Sequence, residues 1–499
     1  MRTPNSVSGD RSLSKLSTAS ILSLSSCLFL LLLTSLAIIR PIIPYDSWWY
    51  HLPFSSFIWE IGGGEQSFRL DDFLYQRWKG FPLIWETIQG AFWRATGSVR
   101  SIIIPQILFC LSYFAYVRYA LGVPFAWVII GFFACPMLLV HFEATQNDLA
   151  SGLGVTLMFF GLSLLVADAR SGRPGWSWAR VIGVVTMAAV AGNTKYQGLI
   201  ACLAVTVVIL FYCLTMPQLR ARFRLEIMAL LVLANLAAGA AATQNLMLHG
   251  NPFYPVEVRV FGHVVFEGPE LPSLGAEPPS YLLSESREIS LPSPLNFVLS
   301  ATELDWTLRG VAPWYNIDAV SGRSPRRGPP SRTGGWGGIY VLLNLGLLTA
   351  QVMRVKMLAD DRQKVLVVGA VLLTIVTACL PRAHELRYWL YIPLILMPVN
   401  LRFLYRRWGR DNVPIQACLF GIAIYGMALA FLSPKSGLLL NTSLPVYGEG
   451  GRHGAPPELV ESLSRTGQFC LPFDEFLFRY SAAVTGLPGT LSRNIRDCP

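Results

Sequence analysis

The chain has 499 residues, of which 53% are hydrophobic and only 14% charged, and a formal net charge of +10. A mean hydropathy of +0.46 excludes a single water-soluble core large enough to hide the apolar surface, so the bilayer is the expected solvent. The basic residues fall in short loops between apolar runs, where positive-inside topology accounts for them without a nucleic-acid partner.

In chain order, Arg2, Arg11 and Lys15 precede a long apolar run, 19–39, with no A-x-A cleavage site after it. This pattern predicts an uncleaved signal anchor with a cytoplasmic N-terminus. Further apolar segments follow at 81–93, 149–166, 181–191, 199–215, 227–242, 339–352, 365–380, 388–399 and 415–431. Several are shorter than the roughly 20 residues of a perpendicular span and require tilt or local thinning.

Arginine-rich clusters set the expected sidedness: Arg94 and Arg100; Arg170, Arg173 and Arg180; Arg220, Arg222 and Arg224; Arg354, Lys356, Arg362 and Lys364; and Arg402, Arg406, Arg407 and Arg410. For all of them to be cytoplasmic, the stretch 101–146 must cross an odd number of times, giving about eleven to thirteen spans in all. The outer face would then receive 41–80, 146–148, 193–197, the long loop 244–336, 381–387 and the tail from 433. The long loop contains a predicted amphipathic helix near 295–309 and a basic patch at 323–332. No internal repeat or low-complexity tract interrupts this picture.

Cys27, Cys110, Cys135, Cys202, Cys213, Cys379 and Cys418 lie in apolar stretches without ligand spacing and read as small core residues. Cys470 and Cys498 fall in the polar tail, where a disulfide between them is an open alternative to two free thiols.

Four outer segments carry the candidate chemistry. Directly after the first run comes Pro44-Tyr45-Asp46-Ser47-Trp48-Trp49-Tyr50-His51-Leu52-Pro53. Asp46 either caps a juxtamembrane helix amid belt aromatics or is a general base beside a sugar-binding shelf that includes Tyr50 and His51. With a phosphate leaving group one acid suffices, unlike the two-carboxylate glycosidases. Gln146-Asn147-Asp148 opens the next long run; Asn-Asp is a capping signal, and Asp148 is also a second candidate catalytic acid.

Asn193-Thr194-Lys195-Tyr196-Gln197 makes a very short break between two apolar runs. Lys195 either snorkels or stabilises charge on a departing phosphate. Pro381-Arg382-Ala383-His384-Glu385-Leu386-Arg387-Tyr388 is a crowded turn that reads either as Glu385 paired with a neighbouring arginine and Arg387 anchoring a helix end, or as a site where Arg387 grips phosphate. Arg382, His384, Arg387 and Tyr388 therefore join Lys195 and Tyr196 as candidate substrate-binding residues. Gly250-Asn251-Pro252-Phe253-Tyr254-Pro255 reads as a rigid stop and turn without catalytic work.

Taken in order, Asp46, Asp148, the Lys195-Tyr196 turn and Arg387-Tyr388 resemble the motif series of the GT-C superfamily of membrane glycosyltransferases, in the branch of protein O-mannosyltransferases and aminoarabinose transferases. The resemblance implies an all-α polytopic membrane protein, a GT-C-like bundle over 1–432 with a short extracytoplasmic tail at 433–499. It also implies a bacterial inner-membrane location, with the site on the outer face and a sugar transferred, with inversion, from a polyprenyl-phosphate donor. Membrane lipid and an unassigned acceptor are the remaining partners. Many relatives carry two adjacent acids in the first outer loop, whereas Ser47 follows Asp46 here, which argues against a paired-acid or metal role at that point. No cofactor or metal ligand is assigned, and a divalent cation stays open. The competing expectation is a transporter or flippase, since intramembrane charges and broken helices also mark permeation paths. Cytoplasmic chemistry on nucleotide sugars is set aside because no GxGxxG or phosphate-loop pattern joins a strand to a helix.

Overall fold

The structure is a computed structural model that describes residues 18–39, 47–61, 72–172, 177–215, 221–260, 263–269, 292–302, 336, 338–358, 360–380, 383, 385–408, 421, 469–470 and 495–496. These residues are mostly helical with almost no sheet, as an all-α membrane protein requires. Four stretches are long and apolar enough to cross a membrane: Ser20–Ile39, Val99–Leu121, Asp148–Arg170 and Tyr196–Thr215. Two bent pairs bring the number to as many as six: Phe125–Phe133 with Pro136–Glu143, bent by 93°, and Phe223–Ala238 with Ala240–His249, bent by 56°.

The helices in chain order are α1 (Thr18–Ile39), α2 (Leu52–Ile58), α3 (Asp72–Gly80), α4 (Ile84–Thr96), α5 (Ile104–Tyr116), α6 (Phe125–Phe133), α7 (Pro136–Glu143) and α8 (Asp148–Arg170). They continue with α9 (Trp178–Thr194), α10 (Tyr196–Thr215), α11 (Ala221–Ala238), α12 (Ala240–His249), α13 (Ser293–Thr302), α14 (Gly338–Met353), α15 (Asp361–Ala378) and α16 (Tyr391–Trp408). A short antiparallel hairpin, β1 (Val258–Val260) with β2 (His263–Phe266), follows α12.

The centre is α8. It has apolar residues on every side and is buried along nearly its whole length, the signature of a helix surrounded by others. Helices α5, α9, α10, α15 and α16 enclose it. Glycine and alanine let α9 and α10 approach so closely that backbone meets backbone: a Cβ on Gly198 of α10 would collide with the Ala191 carbonyl and the Ser151 hydroxyl. Polar side chains inside the bundle are tied to each other. Gln363 donates to Gln351 at 2.7 Å, Gln351 to Asn400 at 2.7 Å and Asn400 to Asn344 at 2.8 Å, a buried amide chain that joins α14, α15 and α16.

The bundle has two chemically distinct ends. At one, Asp168 binds Arg180 at 2.8 Å and Arg362 at 2.7 Å, while Asp360 binds Arg402 at 2.7 Å and Arg406 at 2.6 Å. Arg402 also donates to the Leu121 carbonyl. At the other end lie Glu86, Asp148 and Lys195. Gln106, near the start of α5, donates to the Ala144 carbonyl at 2.6 Å and so belongs to this second end. The stretch Val99–Leu121 therefore runs from the Asp148 end to the Arg402 end, and the bent pair α6–α7 returns.

This geometry corrects the arginine count. Thr96, at the end of α4, bonds Ser101 at 2.7 Å, so Arg94 and Arg100 stay at the Asp148 end, apart from the other basic clusters. Helix α4 begins and ends at one end of the bundle, and the stretch 101–146 makes two opposed passes instead of an odd number. Counting basic residues cannot detect a helix that never traverses. Two cysteines also depart from expectation: Cys110, Cys135, Cys202 and Cys213 are buried, but Cys27 and Cys379 are exposed on the flank of the bundle. Of the helix expected near 295–309, α13 covers the part up to Thr302 and the rest lies outside the described residues, and the turn at 250–255 is held by Asn251, which donates to the carbonyls of Val256 and Glu267 at 2.9 Å each. Cys418, the run 415–431, Cys498 and most of the tail lie outside the described residues.

Two outcomes follow from these contacts. Gly198→Ala should lower stability by about 2 kcal/mol through overpacking, whereas Gly183→Ala, whose added Cβ meets nothing within 4 Å, should leave it unchanged or raise it by up to about 1 kcal/mol; apparent melting temperatures in detergent measure both. Burial alone would raise the Asp360 carboxyl, but the hydrogen bond and charge of Arg402, with Arg406, hold it below the ordinary carboxylate range. Its stabilisation is therefore complete above the unfolded-chain value of about 3.9 and lost as pH falls through the lower folded value. Acidification through that range should lower the melting temperature of the wild type more than that of Asp360→Asn.

Candidate functional site

Asp148 is the first residue of α8, and it is 5% exposed. A carboxylate buried there needs a cation, and Lys195 provides one: Nζ stands 2.6 Å from Asp148 Oδ1. Lys195 is the single residue between α9 and α10 and has an extended backbone, so two packed helices aim its side chain. Its ammonium also lies 4.6 Å from the centre of the Tyr388 ring. The Arg387 guanidinium lies 4.9 Å from that ring centre and donates to the Tyr388 hydroxyl at 3.1 Å. Two cations thus lie near one aromatic ring beside a buried carboxylate, with Glu385 on the same turn. Turns separate in sequence, at 147–148, 195 and 387–388, form a single cluster.

The expected capping role of Asn147 is replaced by another. Its side chain makes no cap hydrogen bond. Instead Nδ2 donates to Glu86 Oε1 at 3.2 Å and to the Thr194 carbonyl at 3.1 Å. Glu86 Oε1 also faces His51 Nδ1 at 2.5 Å, with both side chains buried. Nearby, Thr145 donates to Ser47 at 2.8 Å and Gln89 to the Thr145 carbonyl at 3.0 Å, which fixes the segment that carries His51 against α4 and the start of α8.

Tyr50 packs against His51 with ring centres 4.1 Å apart and meets Phe81 edge-on at 6.0 Å. Arg77 lies over both Tyr50 and Phe81. Tyr196 was expected to bind substrate, but its hydroxyl stands 2.6 Å from the carbonyls of both Gly80 and Tyr254 and accepts from Asn245 Nδ2 at 2.8 Å. That hydroxyl joins the end of α3, the start of α10 and the exit of α12, which makes Tyr196 a structural clamp. Asp46, Arg382 and His384 lie outside the described residues.

Glu86, Asn245 and the pair His141 and Glu143 escaped the sequence reading. Glu86 had a visible signal, a lone acid in the apolar run 81–93. His141 and Glu143 sit on α7, the second arm of the bent pair, with His141 Nε2 and Glu143 Oε1 buried and lacking hydrogen-bond partners. Among the described residues no three His, Cys, Asp or Glu side chains group as a metal-ligand set.

No family model, curated protein or solved structure matches the chain.

The pairing of Asp148 with Lys195 predicts a non-additive result. Lys195→Met or Asp148→Asn alone should each destabilise the protein, by about 3 kcal/mol for the lysine change, because each strands a buried partner. The double variant should recover part of that loss, and a double-mutant cycle on melting temperatures in detergent measures the recovery.

Proposed function

We propose that the chain is a GT-C-like membrane glycosyltransferase that moves a sugar, with inversion, from a polyprenyl-phosphate donor to an acceptor hydroxyl outside the cytoplasm. The observation that carries the reading is the convergence of Lys195 and Arg387 on the Tyr388 ring beside Asp148. Arginine matches a phosphate's oxygens in a planar fork and lysine adds a compact charge, so the pair suits a phosphate that gains charge as it departs. The ends of the bundle support the orientation. Asp168 and Asp360 with their arginines mark the cytoplasmic end by the positive-inside rule, and the cluster lies at the other.

In this mechanism Asp46 takes the proton of the acceptor hydroxyl as its oxygen bonds the anomeric carbon. The bond from that carbon to the phosphate oxygen breaks with its electron pair on phosphate. Asp148 holds Lys195 in place until the phosphate claims it. A multi-pass bundle in a bacterial inner membrane belongs to the same proposal.

A second reading, a transporter or flippase, draws on the 93° break between α6 and α7 and on buried His141 and Glu143 in α7. Discontinuous helices with buried ionisable groups also serve solute pathways.

The test is transfer of labelled sugar from polyprenyl-phosphate sugars in membranes with matched protein levels. Wild type should transfer, Asp46→Asn should lose about 10²-fold or more, and Lys195→Ala should lose a comparable factor. Donor-independent flux of a lipid or solute, with no transfer and with Asp46→Asn as active as wild type, would put the transporter reading first.

A further inference from the structure

The two cations of the candidate site rest on different supports. Lys195 is held at the junction of α9 and α10, whereas Arg387 and Tyr388 lie on the short helical turn Leu386–Trp389, which runs into α16 through a helical Leu390. The Leu394 N–H donates to the Leu390 carbonyl at 3.2 Å, so this turn continues the first coil of α16 and points where that helix points. The direction from which Arg387 meets Lys195 is therefore set along α16.

Pro398 lies inside α16. Proline has no N–H, so the helical bond from residue 398 to the carbonyl of Leu394, four residues earlier, cannot form, and the helix is free to bend at that point. The gap is closed from another helix. Tyr113 of α5 donates its hydroxyl to the Leu394 carbonyl at 2.7 Å, and both residues are fully buried. Before the proline, Tyr391 shares a 2.6 Å hydrogen bond with Thr377 of α15, and a Cβ on Gly152 of α8 would crowd Leu390 and the Tyr391 N–H. After it, Gln363 of α15 donates to the Val399 carbonyl at 3.0 Å, and Asn400 belongs to the buried amide chain. Both sides of the break are fastened to neighbours, and Tyr113 fastens the break itself. The Tyr113 ring packs beside Phe114 and Phe132, with centres 5.8 and 6.2 Å away, contacts that phenylalanine would make equally well. What the hydroxyl adds is a donor for a buried carbonyl that would otherwise lose its partner.

We propose that Tyr113 is a positioning residue for the phosphate site: by closing the ladder at Leu394 it fixes the first turns of α16 and so presents Arg387 and Tyr388 to Lys195. This rests on the phosphate-binding part of the transferase reading above. Tyr113 touches no substrate and acts through the backbone of α16. Lys195 is aimed by α9, α10 and Asp148, and does not depend on that helix. Loss of the Tyr113 hydroxyl therefore weakens the grip of Arg387 on a phosphate already charged in the ground state more than it slows the bond-breaking step, in which Lys195 meets the growing charge.

The experiment compares wild type, Tyr113→Phe, Pro398→Ala, Arg387→Gln and the two double variants that join Tyr113→Phe to each of the others. It reads kcat and KM for polyprenyl-phosphate sugar in membranes, Kd for labelled polyprenyl phosphate in detergent, and melting temperature. Tyr113→Phe, which removes a single oxygen, should raise KM and Kd about 10-fold while kcat falls by less than about 3-fold. With Pro398→Ala the alanine N–H satisfies the Leu394 carbonyl, so adding Tyr113→Phe should change nothing further. With Arg387→Gln, adding Tyr113→Phe should lower the melting temperature again but leave KM and Kd where Arg387→Gln put them. A bond that only stabilised the fold would show no such dependence on Arg387. A folded Tyr113→Phe with wild-type KM and Kd, or one whose effect on them persists undiminished beside Pro398→Ala or Arg387→Gln, overturns the inference and leaves the transferase standing. Wild type that binds polyprenyl phosphate without transferring sugar ends the transferase reading and leaves the Kd comparison to decide the inference; wild type that does neither overturns both.

Discussion

A carboxylate at the head of a helix enclosed on every side has to be neutralised where it stands, and much of this molecule is arranged around that requirement. Asp148 opens α8 and has no solvent to lean on, so Lys195 must be within reach of it. Lys195 reaches because α9 and α10 are joined by that one residue, and the two helices hold their positions through glycine contacts with the Ala191 and Ala238 backbone. The same packing sets the Tyr388 ring beside both the ammonium and the Arg387 guanidinium. Backbone approach, ion pair and aromatic face are thus one construction, and loosening any part moves the rest.

The two ends of the bundle spend their polar groups differently. At the Arg402 end, Asp168 and Asp360 each satisfy two arginines, and Arg402 reaches on to a backbone carbonyl. At the Asp148 end, Glu86 Oε2, Asn147 Oδ1, Thr194 Oγ1, His141 Nε2 and Glu143 Oε1 are buried without hydrogen-bond partners, against Arg402 Nε at the other. Buried polar atoms are ordinarily paired, and a concentration of exceptions marks the place where fold stability has yielded to another demand. This contrast is independent of any motif and points to the same end of the molecule.

The parts of the fold that were legible in the sequence are those where composition changes sharply. Helices α1, α8 and α10 coincide with uninterrupted apolar runs, and Lys195 stood out because a charge between two such runs has few innocent explanations. The candidate site was legible in its ions and opaque in its amides. Asn147 looked like a helix cap because asparagine before a helix usually is one, yet a nearby buried acid claimed its donor. Tyr196 looked like a substrate ligand as part of the Lys195-Tyr196 turn, and two backbone carbonyls and the Asn245 amide engage its hydroxyl instead. Glu86 was hidden by treating its helix as a span. Hydropathy reports how apolar a segment is, but only the contacts at both of its ends reveal whether it crosses.

Helix α1 has a consequence for how the chain is assembled. Only about a fifth of its membrane-length window is buried, 22%, and Leu24, Leu28, Leu31 and Leu32 face outward. Its packing partners are α6, α7 and the segment before α5, with Phe29 edge-on to Phe133 at 5.5 Å. Those partners lie beyond residues 40–98 in the chain, so α1 is synthesised before any of them. A helix with leucine on nearly every face suits that interval, and this side of the bundle closes only once α6 and α7 exist.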